Sequence, residues 1–92
     1  MKRVVWTPEA RRDLNRRGRF LAELSPAAAQ RAVALVRVRA GQLAAHPRIG
    51  ERVPEYEPRE VRRLIAGTYE VVYELTADAA NILRVLHTRE GR

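Results

Sequence analysis

The sequence predicts an α+β domain in the order strand, helix, helix, then three strands. Three observations predict it. Thr7-Pro8-Glu9 and Ser25-Pro26 are two successive helix starts, and apolar residues follow each of them at a helical period. From Glu60 onward the apolar period falls to two, the mark of strands. Helices and strands that segregate along the chain point to α+β rather than to alternating α/β units. The 92 residues make one small domain, 1–92, with no repeat, low-complexity segment or internal boundary.

Val4, Val5 and Trp6 form the short first strand. Helix one has Thr7 as N-cap, Pro8 at its first position and Glu9 at the positive end of its dipole, and runs to about Leu24. At about 100° per residue, Ala10, Leu14, Leu21 and Leu24 share a face, with Phe20 beside them. Arg17 falls within that stripe, so it is expected to snorkel at the helix edge, paired with Asp13 four residues earlier. Helix two runs from Ser25-Pro26 to about Ala45 and packs against helix one as an antiparallel hairpin, because the joint is so short. Its buried face is Ala29, Ala32, Val33, Val36, Ala40 and Leu43. Leu35 and Val38 point elsewhere, flanked by Arg31 and Arg39: either ordinary surface scatter or the rim of a groove for a partner helix.

His46-Pro47-Arg48-Ile49-Gly50 ends helix two, and a polar loop reaches Pro58. Strands follow at Glu60–Ala66, Tyr69–Leu75 and Asn81–Thr88, with Gly67-Thr68 as a two-residue II′ turn. In the middle strand Tyr69, Val71, Tyr73 and Leu75 face the core, opposite Glu70, Val72 and Glu74. In the last strand Leu83, Val85 and His87 alternate with Ile82, Arg84 and Leu86.

Composition limits the function classes. There is no cysteine, the two histidines are far apart, and the acids lack metal-ligand spacing, so neither a disulfide, a metal nor any other cofactor is expected. MKRVVW is too short for a signal peptide, and no run approaches the roughly 18 apolar residues of a membrane span. A cytoplasmic domain without membrane contact is the expectation. The net charge is +7, with Lys2 the only lysine. Genomic base composition accounts for arginine over lysine as well as function does, but the charge itself implies an anionic partner, nucleic acid or an acidic protein segment.

WTPEARRDL, SPAAAQRA leading to LAAHPRIGERVPEY, REVRRLIAGTYEVVYEL and ILRVLHTRE, in that order and spacing, resemble the RelE/ParE superfamily of type II toxin–antitoxin toxins over essentially the whole chain. The resemblance implies a helical hairpin packed on an antiparallel sheet. RelE-like members cut messenger RNA on the ribosome, whereas ParE-like members lack that activity and poison DNA gyrase. Pro54-Glu55-Tyr56, Val61-Arg62-Arg63-Leu64 and His87-Thr88-Arg89-Glu90 look more like the ParE branch.

Chemistry tests that choice. Cleaving RNA through its own 2′-OH needs a base, an acid and a cation for the phosphorane charge. Arg62, Arg63, Arg84 and Arg89 supply cations, and His87, with an unperturbed imidazole pKa of about 6.5, is the best proton carrier. Its alternation partners Leu83 and Val85 are apolar, so a half-buried imidazole satisfied by its neighbours fits equally well. The RelE-like nucleases resemble one another in a lysine-bearing basic loop and a tyrosine near the C-terminus; here no lysine follows Lys2 and no tyrosine follows Tyr73. The expectation is therefore a ParE-like gyrase inhibitor that is not an enzyme. The alternatives are a RelE-like nuclease using His87, Arg62, Arg84 and Arg89, and a non-toxic member that only binds its antitoxin. The resemblance also implies a cognate antitoxin with an acidic C-terminal segment that forms a hetero-oligomer with the toxin. Arg62, Arg63, Arg31, Leu35, Val38, Arg39 and Arg84 are expected to receive it, so that Arg62→Glu or Arg63→Glu weakens binding most at low salt.

Overall fold

Thr7 and Ser25 act as the sequence predicts. Thr7 Oγ1 accepts the Ala10 N–H at 3.3 Å, and Ser25 Oγ accepts that of Ala28 at 3.2 Å. Ser25 serves both helices, because its own N–H closes the first one on Leu21 O at 2.8 Å. The computed structural model describes residues 1–89, so Glu90 of the closing His-Thr-Arg-Glu lies outside the described residues. The elements are β1 (Arg3–Trp6), α1 (Pro8–Leu24), α2 (Pro26–Gly41), a 3₁₀ turn (Gln42–Ala44), β2 (Glu51–Arg52), a second 3₁₀ turn (Pro54–Tyr56), β3 (Glu60–Ala66), β4 (Tyr69–Leu75) and β5 (Ala79–His87).

The strands form one sheet in the order β1-β5-β4-β3-β2, and the helical hairpin covers one face of it. The sheet is mixed rather than wholly antiparallel, because β1 runs parallel to β5. The two helices and the β2–β4 segment form a connection long enough to free β1 from the hairpin constraint that forces antiparallel pairing. β2 is a further departure: two residues of the expected loop pair with Arg62 and Arg63 of β3. Gly67 has φ +64° and, among the described residues, no non-glycine residue has positive φ, which fits a II′ turn between β3 and β4.

Tyr73, Leu43, Ile82, Val36, Val71 and Val85 are fully buried, and most of the core lies between the helices and the sheet. Leu24 and Phe20 do not join it; they are 74% and 64% exposed. The last strand also departs from simple alternation. Val72 pairs with Arg84 and Tyr73 with Ile82, so Leu83 is an extra residue, a β-bulge. The bulge puts Ile82 on the core face together with Val85, a phase shift that a strict period of two misses.

Candidate functional site

β1 pairs with β5 only as far as Ile82, which leaves the rest of that β5 edge without a strand. Side chains of α1 close it. Thr7 Oγ1 donates to Ile82 O at 2.7 Å, Asp13 Oδ2 accepts the Val85 N–H at 2.9 Å, and Arg17 Nε donates to Val85 O at 3.1 Å. Asp13 also receives Arg84 through Nε at 2.8 Å and Nη2 at 3.2 Å, and Arg16 at 3.2 Å. Burial alone would push the Asp13 carboxyl up; the Arg84 hydrogen bonds, the Val85 N–H and the charges of Arg84 and Arg16 together hold it below its ordinary value. The expected Asp13–Arg17 pair is therefore replaced: Asp13 takes Arg84 and Arg16, and Arg17 lies 5.9 Å from the Tyr69 ring centroid.

Arg62 and Arg63 do not form one rim. Consecutive strand residues point to opposite faces. Arg62 pairs with Tyr73 on the helix-covered face, and Arg63 with Val72 on the other. Arg62 donates to Glu60 at 2.9 Å and to Gly50 O at 2.8 Å. Glu60 also takes both arms of Arg48, which most of all holds its carboxyl low; desolvation pushes the other way, and Arg62 adds to the lowering. Arg63 meets Glu51 at 3.4 Å and the buried Glu70 at 3.5 Å, in a cleft of about 420 Å³ roofed by Val53, Pro54 and Tyr56. Arg59 grips Glu74 through two bonds of 2.9 and 3.0 Å, and Arg52 meets Glu57 at 3.1 Å. The arginines at this end of the sheet are neutralised within the chain.

The Tyr73 hydroxyl anchors the loop before β2. It donates to Pro47 O at 2.8 Å and accepts the Gly50 N–H at 2.9 Å. Burial pushes its pKa above the ordinary tyrosine value. A Cβ at Gly50 would stand 2.6 Å from that hydroxyl and 2.8 Å from Arg63 O, so only glycine admits so close an approach. The sequence marks Tyr73 as core and Gly50 only as part of the stretch that ends helix two; their close approach depends on the fold.

The outward side of α2 differs in character. Arg31 is exposed, Leu35 and Val38 are 41% and 61% exposed, and Arg39 Nε donates to Ile65 O at 3.1 Å. β2 covers only Arg62 and Arg63 of β3, so among the described residues Leu64–Ala66 have no strand on that side. Apolar helix residues, arginines and a strand edge capped at the Ile65 carbonyl by Arg39 thus lie together. His87 sits elsewhere, half-buried in a groove of about 550 Å³ with Arg16, Arg17, Phe20, Leu21 and Tyr69. It is edge-to-face with Tyr69 at 5.8 Å, and its Nδ1 accepts the Arg89 N–H at 3.2 Å. No carboxylate lines this groove among the described residues. Arg62 is four strand positions and two strands from His87, roughly 16 Å at standard spacings. The four nuclease candidates are thus not gathered on one phosphate. Among the described residues no helix is long and apolar enough to cross a membrane.

Comparison with known proteins agrees with this architecture. The family model described as "ParE toxin of type II toxin-antitoxin system, parDE" matches residues 4–91. Toxin RelE3 of Caulobacter vibrioides is 38% identical over 92 residues, the whole of both chains. A chain from the chromosomal ParDE toxin–antitoxin system of P. aeruginosa has the same fold, with a TM-score of 0.80 at 23% identity over 95% of this chain and 96% of that one. The chain is therefore a toxin of the RelE/ParE type II toxin–antitoxin systems, for which a cognate antitoxin is implied, and it belongs to the ParE toxin family.

Proposed function

We propose that this toxin acts without catalysis, by binding DNA gyrase and holding it on DNA, and that its antitoxin silences it from the α2 side. The observation that carries the reading is the dispersal of the nuclease candidates. Arg62 is held by Glu60 and Gly50, roughly 16 Å from His87 at standard strand spacings, and Arg84 is held by Asp13. A transition state with charge on a phosphorane needs donors preorganised around one point, which speaks against Arg62 and His87 serving the same phosphate.

The antitoxin has a natural place. A helix laid on Arg31, Leu35 and Val38 would bury apolar surface, and an acidic extended segment could continue β3 along Leu64–Ala66, beside the Arg39 guanidinium. The sheet-end arginines Arg62 and Arg63, whose charges are already matched within the chain, contribute less. The name Toxin RelE3 keeps messenger-RNA cleavage as a second reading, with His87, Arg62, Arg84 and Arg89 as its residues. Purified toxin should inhibit gyrase supercoiling, stoichiometric antitoxin should relieve the inhibition, and ribosome-bound messenger RNA should stay intact. Intact supercoiling with ribosome-dependent RNA fragments would select the second reading.

A further inference from the structure

Two groups of arginines stand out, with Arg3 and Arg31 exposed and outside both. Arg48, Arg52, Arg59, Arg62 and Arg63, around the sheet end, each have a carboxylate partner within the chain. Arg11, Arg12, Arg19 and Arg37, on the helical hairpin, are exposed and make no side-chain hydrogen bond or ion pair among the described residues. The excess positive charge of the chain is therefore concentrated on the hairpin, not spread evenly over the surface. Arg11 and Arg37 come from different helices to line one cleft of about 310 Å³, with Asn15, Trp6 and Leu14. Arg12 and Arg19 are seven residues apart on α1, two turns or about 10 Å along the same side. The exposed acids of that helix, Glu9 and Glu23, stand near its two ends.

We propose that this hairpin surface, Arg11, Arg12, Arg19 and Arg37 with Asn15, binds the phosphate backbone of duplex DNA without sequence preference. The choice against an acidic polypeptide follows from what the surface lacks. A folded peptide is anchored by buried apolar and aromatic contacts. Apart from Met1 at the chain end, the exposed large apolar residues are Phe20, Leu24, Leu35, Val38, Ile49, Tyr56 and Ile65, and none lines the Arg11–Arg37 cleft. Phe20 and Val38, next in sequence to Arg19 and Arg37, point about 100° round their helices. Single strands are bound by stacking bases on exposed aromatic rings, and the one aromatic ring in the cleft, Trp6, packs against the core. Unmatched guanidiniums spread over a polar helical surface suit a duplex backbone, where contacts go to phosphate oxygens. The choice of DNA among duplexes rests on the gyrase reading, but binding by the isolated toxin needs no gyrase, so the two can fail separately.

The test is fluorescence anisotropy of a labelled DNA duplex with purified toxin, gyrase absent, across a salt series. About four phosphate contacts predict roughly 100-fold weaker binding on going from about 50 to about 200 mM salt. Each of Arg11→Gln, Arg12→Gln, Arg19→Gln and Arg37→Gln should lower the log–log salt slope by about one, while Arg52→Gln and Arg59→Gln should leave it unchanged. No binding at low salt, or a slope indifferent to the four hairpin substitutions, would overturn the proposal. So would polyglutamate binding as tightly as DNA and lost in the same variants, since the surface would then serve an acidic protein.

Discussion

The Asp13 carboxylate accepts the backbone N–H of Val85 at 2.9 Å, although 72 residues separate them. Four residues on along α1, Arg17 donates to the carbonyl of the same Val85. Two helix side chains thus satisfy the donor and the acceptor that a neighbouring strand would otherwise take. The arrangement fixes α1 to the β5 edge at the bulge and leaves Arg84 pinned over the joint.

Asp13→Ala removes the partner of a buried N–H and of Arg84 together. A loss of roughly 2–4 kcal/mol is expected, from the unsatisfied donor and the broken pair. In a domain of this size that lowers Tm by roughly 10–25 °C, measurable by calorimetry. Arg84→Ala should cost less, because its side chain is 48% exposed and water replaces part of what it gave.

Asp13 also sets an acid limit. Its folded pKa lies below its unfolded value, so between the two the unfolded chain binds a proton that the folded chain does not. The stabilisation is present above the unfolded value of about 3.9 and is lost as pH falls through the folded one. Urea midpoints measured from about pH 6 down to about pH 2.5 should fall more steeply for the wild type than for Asp13→Asn.

Tyr73→Phe strips the loop of its donor to Pro47 and its acceptor from Gly50, and about 1–3 kcal/mol should be lost. Gly50→Ala should cost a similar roughly 1–3 kcal/mol by overpacking, because the added methyl meets the backbone of β3 as well as the ring. Combining the two should cost less than the sum, since the phenylalanine has no hydroxyl to clash with the methyl.

On α2, Leu35→Asp and Val38→Asp place charge on the apolar strip proposed for the antitoxin. Each should weaken antitoxin binding at least about tenfold in isothermal titration, with Tm nearly unchanged because both side chains are already exposed. Arg62→Glu should do the reverse, lowering Tm through its broken contacts with Glu60 and Gly50.

His87→Ala should leave growth arrest on expression within about twofold of the wild type, as a residue that carries no proton in the mechanism would. A nuclease using this imidazole would lose on the order of 10²-fold or more.

Much of this was legible in the chain. Thr7-Pro8 and Ser25-Pro26 announced both helices, because capping is local chemistry, and Gly67-Thr68 announced the turn. The bulge at Leu83 was not, because a strict period of two gives no sign of where an extra residue falls. Nor was the parallel β1–β5 pair, which local pattern does not encode. The separation of Arg62 from Arg63 was written in the sequence as adjacency within a strand. Reading them as one rim overlooked the period of two that identified the strand itself. The partition of arginines into matched and unmatched sets needed the fold, since the carboxylates that match them come from β2, β3, β4 and the intervening loop.

Whether the toxin holds gyrase on DNA and cuts nothing itself shows in the fate of plasmid in a gyrase reaction. With toxin and ATP present, denaturing the enzyme and digesting it with protease should release linear plasmid, and antitoxin added first should abolish it. Plasmid that is supercoiled normally at saturating toxin, beside messenger RNA cleaved on ribosomes by the same preparation, would contradict the account.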